Sequence, residues 1–324
     1  MDLKMQWMLI VMALDWGILV PLGGALVRWR AHYNPKRIHI RGRVMEGQQL
    51  QEETISPIRG YFSILRRVHD IEGIPGFYKG LVPSILSDVC TMLLVEAFFS
   101  EKSSRLGDAD NDTASYFDIN IVKRMLYWIL RTAIGIPLEI VKNRAITTPY
   151  RLPWGAPIQS LNVLLSQSER HSLWRLYLIP GFVLARVVLL ELFWYGVGPI
   201  RDILIPEFVG PQSGADEHYM KSLACFFLFN HILCALVQTP LEVALVRLSV
   251  QKYHDTEGVS RDKAGSPFAR QEVELKRYSD EKVIRLKDTD LQPYKGLVDC
   301  LYTILVEEGW KTMFKSGWRT LFGM

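Results

Sequence analysis

Apolar and polar residues alternate along this chain in long blocks rather than over short periods. Five apolar blocks stand out, at about 6–29, 81–100, 119–144, 178–204 and 219–245. A helix needs about 20 mainly apolar residues to cross a hydrocarbon core roughly 30 Å thick, so each block predicts a membrane span. The loop after the first block is basic, with Arg28, Arg30, Lys36, Arg37, Arg41, Arg43, Arg59, Arg66 and Arg67. Inside it, Ile58, Tyr61, Phe62, Ile64, Leu65, Val68 and Ile71 recur at helical spacing, which predicts an amphipathic helix at the membrane surface. The loop after the third block is basic again (Lys142, Arg144, Arg151, Arg170, Arg175). Those after the second and fourth are acidic (Glu101, Asp108, Asp110, Asp112; Glu207, Asp216, Glu217). The positive-inside tendency therefore sets the loops after odd blocks on one face. Residues 251–290 are polar, lack apolar periodicity and are expected to be disordered. A second amphipathic stretch then leads to Glu307-Glu308-Gly309, and no sixth apolar block follows.

The odd blocks close on related octets. These are Pro137-Leu138-Glu139-Ile140-Val141-Lys142-Asn143-Arg144, Pro240-Leu241-Glu242-Val243-Ala244-Leu245-Val246-Arg247 and the weaker Pro21-Leu22-Gly23-Gly24-Ala25-Leu26-Val27-Arg28. A proline inside a helix removes a backbone hydrogen bond and bends it, and residues three apart share a helix face. Three octets in register predict a threefold internal repeat, with repeats over 1–110, 111–212 and 213–324 and the polar insert at 251–290. A second motif follows the first octet, Glu72-Gly73-Ile74-Pro75-Gly76-Phe77-Tyr78-Lys79-Gly80. It returns as Glu308-Gly309-Trp310-Lys311-Thr312-Met313-Phe314-Lys315-Ser316. The interval from Gly60 to Glu72 equals that from Gly296 to Glu308, so the helices before the two motifs align without a gap, Asp299 lying in the second. Repeat two has only a blurred copy between Glu169 and Pro180, including Trp174-Arg175.

Composition adds limits. Hydrophobic residues make up 49% and charged residues 22%, with a mean hydropathy of +0.09, as expected where membrane spans alternate with polar loops. A net charge of +4 makes no case for nucleic-acid binding. Cys90, Cys225, Cys234 and Cys300 lack metal-ligand spacing, so they read as buried free thiols. No nucleophile–base pair or carboxylate pair falls at usable spacing, so neither an enzyme, a metal site nor a cofactor is expected. Asp15, Asp88, Glu96, Arg131, Arg186 and Glu191 lie within the apolar blocks, where charges usually face a cavity or one another. Ser87, Asp88, Arg186 and Glu191 are the candidate cavity residues; the alternative is residual charge that came with the fold.

These motifs resemble those of the mitochondrial carrier family, over nearly the whole chain except the insert. The family's octet is P-x-[DE]-x-x-[KR]-x-[KR], and its surface helix ends in [DE]-G, four residues, then aromatic-[KR]-G. The resemblance implies an all-α, polytopic helix barrel around a central cavity, five spans being visible and the sixth missing. It also implies gating by ion pairs between the acid of each octet and the base of the next. On that pattern Glu139 faces Leu245, Glu242 faces Leu26 and Lys142 faces Gly23, so no gate pair is expected to be intact. The second gate is equally depleted: Phe99-Ser100-Glu101 is followed by a displaced Arg105, and Tyr195-Gly196 lacks an acid. The usual substrate-contact position falls on Ser87, with Leu184 its counterpart if Pro180 matches Pro83. The chain is similar to the divergent carrier-like proteins of the mitochondrial outer membrane in fungi, which act in membrane fusion. An adaptor docking fusion partners through residues 251–290 is the first expectation. A solute carrier with a diverged signature is the alternative, and a truncated sequence the third.

Overall fold

The computed structural model describes residues 15–35, 58, 60–99, 113–153, 156–187, 232, 236–252, 277–279, 281–287, 292–315 and 317. Regular structure among them is helical, and the one β feature described is an isolated antiparallel bridge between Tyr150 and Arg277. The protein is all-α, as the block patterning predicts. Two compact units emerge, Met1–Ala25 with Val68–Tyr177 and Tyr253–Asp280, and Leu26–Arg67 with Leu178–Lys252 and Glu281–Met324. Their boundaries do not follow the three repeats. Helices α1 (Val20–Ala31) and α2 (Tyr61–Phe77) each have residues in both.

In the first unit, a π-helical turn at Asp15–Leu19 leads into α1. Helix α3 (Leu81–Phe99) packs along α4 (Thr113–Thr147). Phe98 and Phe99 meet Tyr127 edge-on, with ring centroids 6.1 and 5.1 Å apart, a favoured aromatic geometry. No residue of α3 is buried, and Val82, Leu86, Met92, Leu93 and Phe99 all stand open. Among the described residues α3 alone is long and apolar enough to cross a membrane. Helix α4 adds the exposed Val122, Met125, Leu126 and Ile129 beside α3's apolar surface, although Lys123, Arg124 and Arg131 interrupt its apolar run. Such a contiguous apolar surface is unfavourable in water. Beyond α4 come the short helices α5 (Pro157–Leu164) and α6 (Gln167–His171) and a 3-10 turn at Leu173–Leu178. Val163, Leu164, Leu165 and Leu176 supply their core.

In the second unit, helix α7 (236–250) contributes the buried run Val243, Ala244, Leu245, Val246 and Leu248. Helices α8 (Leu297–Glu307) and α9 (Trp310–Met313) follow. They reproduce α2 residue for residue. Tyr61, Ile64, Val68 and Glu72 are buried in one copy, and Leu297, Cys300, Ile304 and Glu308 at the equivalent places in the other. Both copies break after the acid at a glycine with positive φ, Gly73 at 68° and Gly309 at 95°, where any residue with a Cβ would be strained. The gap-free alignment read from the sequence is therefore also an alignment of helix starts, breaks and buried faces. Phe62, at the same helical spacing, is 80% exposed.

The insert needs correction. Its described ends are held in place. Gln251 is buried and exchanges two hydrogen bonds with the Tyr294 backbone. Arg277 bridges Tyr150, and Val283 and Ile284 are buried. Two adjacent branched apolar residues gave these ends something to bury, which the polar average over the segment concealed. The expected apolar spans at 6–14, 188–204 and most of 219–235 lie outside the described residues, as do the loop residues 101–112 and the middle of the insert.

Candidate functional site

The octet prolines leave a backbone carbonyl without a partner, because proline has no N–H to donate to the residue four before it. For Pro137, inside α4, that carbonyl belongs to Ala133, and the exposed Tyr177 hydroxyl donates to it at 2.6 Å. For Pro21 it belongs to Gly17, and the Tyr78 hydroxyl donates to it at 3.3 Å. The aromatic of the second motif thus completes the helix that the octet's proline interrupts, in two repeats by the same device. Repeat three carries Phe314 there, which has no hydroxyl. Tyr177 identifies repeat two's aromatic, which the sequence left blurred. Repeat two spaces glutamate and tyrosine wider, at 169 and 177 against 72 and 78, and so hides the motif.

The arginine at each octet's eighth position is buried: Arg28, Arg144 and Arg247. Arg144 grips Glu169 bidentately at 2.7 and 2.9 Å and also donates to the Leu164 carbonyl at 3.2 Å. Glu169, the third residue of α6, completes a capping box: its carboxylate accepts from the Ser166 N–H at 2.8 Å, and Ser166 Oγ accepts from the Glu169 N–H at 3.3 Å. In repeat three Arg247 makes the same two-pronged contact with Glu308. Partners lie 25 residues apart in repeat two and 61 in repeat three, where the insert lies between them. The acid also meets the motif lysine: Glu72 and Lys79 at 2.5 Å, both buried, and Glu308 and Lys315 at 3.9 Å. Lys79 further donates to the Thr148 carbonyl at 2.8 Å. In repeats two and three the octet arginine and the acid of the second motif are thus the halves of one buried charged cluster, with each carboxylate well supplied with donors. That satisfies the condition under which buried charge is tolerated.

Gate positions tell a different story. Leu26 and Leu245 are buried apolar residues, and Gly23 has open space around its Cα. Glu139 and Lys142 are half-buried on α4, the Lys142 methylenes lying beside Gly80. Glu242, however, forms an ion pair with Arg30. None of the three octet positions expected opposite Glu139, Lys142 and Glu242 carries a charge, and Glu242 pairs instead with a cation outside the octet. The cation sits four residues after Leu26, one helical turn along the same face of α1, and so supplies the charge that the octet position lacks. Arg247 donates to the Arg30 and His32 carbonyls at 3.2 Å each, which ties this pair to the Glu308 cluster. Lys315 also donates to the His32 carbonyl, at 3.0 Å. Burial, and then its neighbour Arg247, hold the Lys315 ammonium down at about 8, with Glu308 pulling it back up.

The candidate cavity residues are only partly brought into use. Asp88 accepts a hydrogen bond from the Trp16 indole at 2.9 Å, so a tryptophan of repeat one occupies it. The Ser87 carbonyl accepts from Thr91 Oγ1 at 2.8 Å within α3. Arg186 is half-buried at the end of the described part of the fourth block, and Glu191 lies outside the described residues. Gly181, at φ 77°, begins the helical turn there as Gly80, at φ 87°, begins α3. A Cβ at Gly181 would stand 2.2 Å from the Leu297 nitrogen. Matching these glycines makes Leu184, rather than Pro180, the counterpart of Pro83. Among the described residues no group of His, Cys, Asp and Glu could hold a metal ion. The Cys300 thiol, buried in α8, is pushed up to about 12 by that burial. Sequence reasoning missed Tyr177, Glu169 as a full ion-pair partner, Arg30 and Trp16. Only the arginine-to-acid correspondence between repeats could have pointed to the second of these. No known protein-family model matches the chain.

Proposed function

We propose that the chain is a carrier-like, polytopic helix barrel of the mitochondrial membrane, in the outer rather than the inner membrane. On this reading it is a non-transporting adaptor in membrane fusion and mitochondrial morphology. What supports it is the contrast between two sets of charges. The clusters Arg144–Glu169 and Arg247–Glu308 keep their donors and acceptors, whereas Leu26, Leu245 and Gly23 leave octet gate positions without charge. A transporter needs two states of similar free energy, each with its own stabilising contacts. A protein that keeps the structural clusters and loses gate charges retains the frame of the fold but not its alternation. The unburied α3 and the apolar face of α4 suit a lipid environment. In this reading the insert at 251–290 displays a docking segment for fusion partners.

A solute carrier with a diverged signature is the second reading, favoured by one contact, the Arg30–Glu242 pair between repeats one and three. Uptake of labelled nucleotides, keto acids and amino acids into vesicles containing the purified protein separates the two. The adaptor reading expects uptake at the level of empty vesicles. Uptake that Asp88→Asn or Arg186→Gln abolishes would overturn it. Protease treatment of intact mitochondria tests the membrane: cleavage within the insert without breaking the inner membrane is expected, and protection refutes the outer-membrane placement.

A further inference from the structure

We propose that residues 281–287, the end of the repeat-three insert, form a latch that holds the Arg30–Glu242 junction closed. Val283 and Ile284 are buried to 6% and 5% exposure in a segment otherwise polar, which makes them its anchor. The backbone on their C-terminal side clasps the two residues that follow α1. The Tyr33 N–H donates to the Arg285 carbonyl at 2.8 Å, and the Arg285 N–H donates to His32 Nδ1 at 3.3 Å. Charged contacts flank the clasp, with Arg67 on Glu281 at 2.5 Å and on the Lys282 carbonyl at 3.2 Å. Lys287 reaches Glu307 at 3.1 Å.

What the latch clasps is also the hub of the charged junction. The His32 carbonyl accepts from Arg247 and Lys315, the Asn34 N–H donates to Glu308, and the Tyr33 hydroxyl donates to Glu307. Arg30, two residues before His32, binds Glu242 and lends its carbonyl to Arg247. Displacing α1 from α7 at this point would have to shift His32 and Tyr33, and the latch opposes that shift with an apolar anchor, two backbone hydrogen bonds and two ion pairs. The His32 imidazole, whose Nδ1 accepts from Arg285, is held down at about 4 by burial and then by Lys315, so it stays neutral and able to accept at neutral pH. Repeat two, with only 25 residues between its arginine and glutamate, has no chain to spare for such a segment. The latch rests on the carrier-like reading for what opening would mean, but its test needs no transport.

The test uses the full chain in lipid nanodiscs and compares the wild type with Val283→Asp/Ile284→Asp. A milder variant, Glu281→Lys/Lys287→Glu, reverses the flanking charges and leaves the anchor in place. Tryptic cleavage after Lys282 and Arg285 reports undocking, and hydrogen exchange of the 26–34 and 240–250 backbone reports the junction. Undocking is expected to raise cleavage at least tenfold and junction exchange by a similar factor, less in the milder variant, while exchange in α3 stays unchanged. Cleavage that rises while junction exchange does not would overturn the latch. So would cleavage after Lys282 and Arg285 in the wild type as fast as in the double variant. These results would leave the uptake and protease experiments above unaffected.

Discussion

Removing the carboxylate of Glu308 should cost more than any other single charge change in the second unit. Its side chain is fully buried, and Arg247 beside it is only 4% exposed. It accepts both guanidinium N–H groups and the Asn34 N–H at 3.0 Å, with the Lys315 ammonium at 3.9 Å. Glu308→Gln therefore strands two cations in a low-dielectric site. At a separation of about 3.5 Å and an effective dielectric near 20, each unit pair is worth about 4–5 kcal/mol. Losing one partner of a buried pair costs about 3–5 kcal/mol in practice. Arg247 keeps its bonds to the Arg30 and His32 carbonyls, which are neutral acceptors and offset only part of the loss. We expect about 3–5 kcal/mol for Glu308→Gln, read as the shift in reversible unfolding in mixed micelles titrated with a denaturing detergent. The double variant Arg247→Met/Glu308→Leu should recover most of that loss, since an apolar pair of similar volume leaves no unpaired charge. Glu307→Gln is the control: its pair with Lys287 is part-buried rather than fully enclosed, and a glutamine can still accept from the Tyr33 hydroxyl, so the cost should stay near or below about 1 kcal/mol. A loss below about 1 kcal/mol for Glu308→Gln, or a double variant no better than the single one, would refute the claim that the motifs exist to build this cluster.

Three other outcomes follow from the same geometry. Tyr177→Phe removes the exposed donor to the Ala133 carbonyl opposite Pro137 and should cost about 0.5–1.5 kcal/mol in the same unfolding assay, an effect that Pro137→Ala in the same chain should largely cancel. Gly181→Ala sets a Cβ 2.2 Å from the backbone nitrogen of Leu297 at a φ of 77°. The neighbouring backbone has to move, and a loss of about 2 kcal/mol or more is expected, against near-neutrality for Gly23→Ala, where nothing lies within 4 Å. His32 has its pKa lowered from 6.5 to about 4, so as pH falls the unfolded chain takes up the proton first. Its contribution is constant above pH 6.5, weakens by about 1.4 kcal/mol per pH unit down to about pH 4, and levels off below. The difference between wild type and His32→Gln in unfolding midpoints against pH should show that slope, and parallel curves would contradict it.

The helical class, the α3 boundaries and the register between α2 and α8–α9 were legible in the residues because each rests on local information. Block hydropathy sets where a helix can lie, and a glycine at positive φ marks where α2 and α8 break. Spacing also identified the motif residues, but not what they do. Arg144 and Glu169, and likewise Arg247, Glu308 and Lys315, read as separate signatures, and only tertiary contact made each set a buried cluster. The family pattern set the uncharged Leu26 opposite Glu242; the fold pairs Glu242 with Arg30, one turn along the same face of α1. The insert misled composition for a related reason: its average polarity is high, but two buried residues suffice to dock a strand of chain if a pocket exists to receive them. Tyr177 was silent in the sequence because its role is to answer a carbonyl far away in the chain, opposite a proline in another helix. What the chain determined alone was the inventory of helices and charges; which charges meet, and which carbonyls need a donor, depended on long-range packing, since an ion pair or hydrogen bond exists only where the fold brings both atoms together.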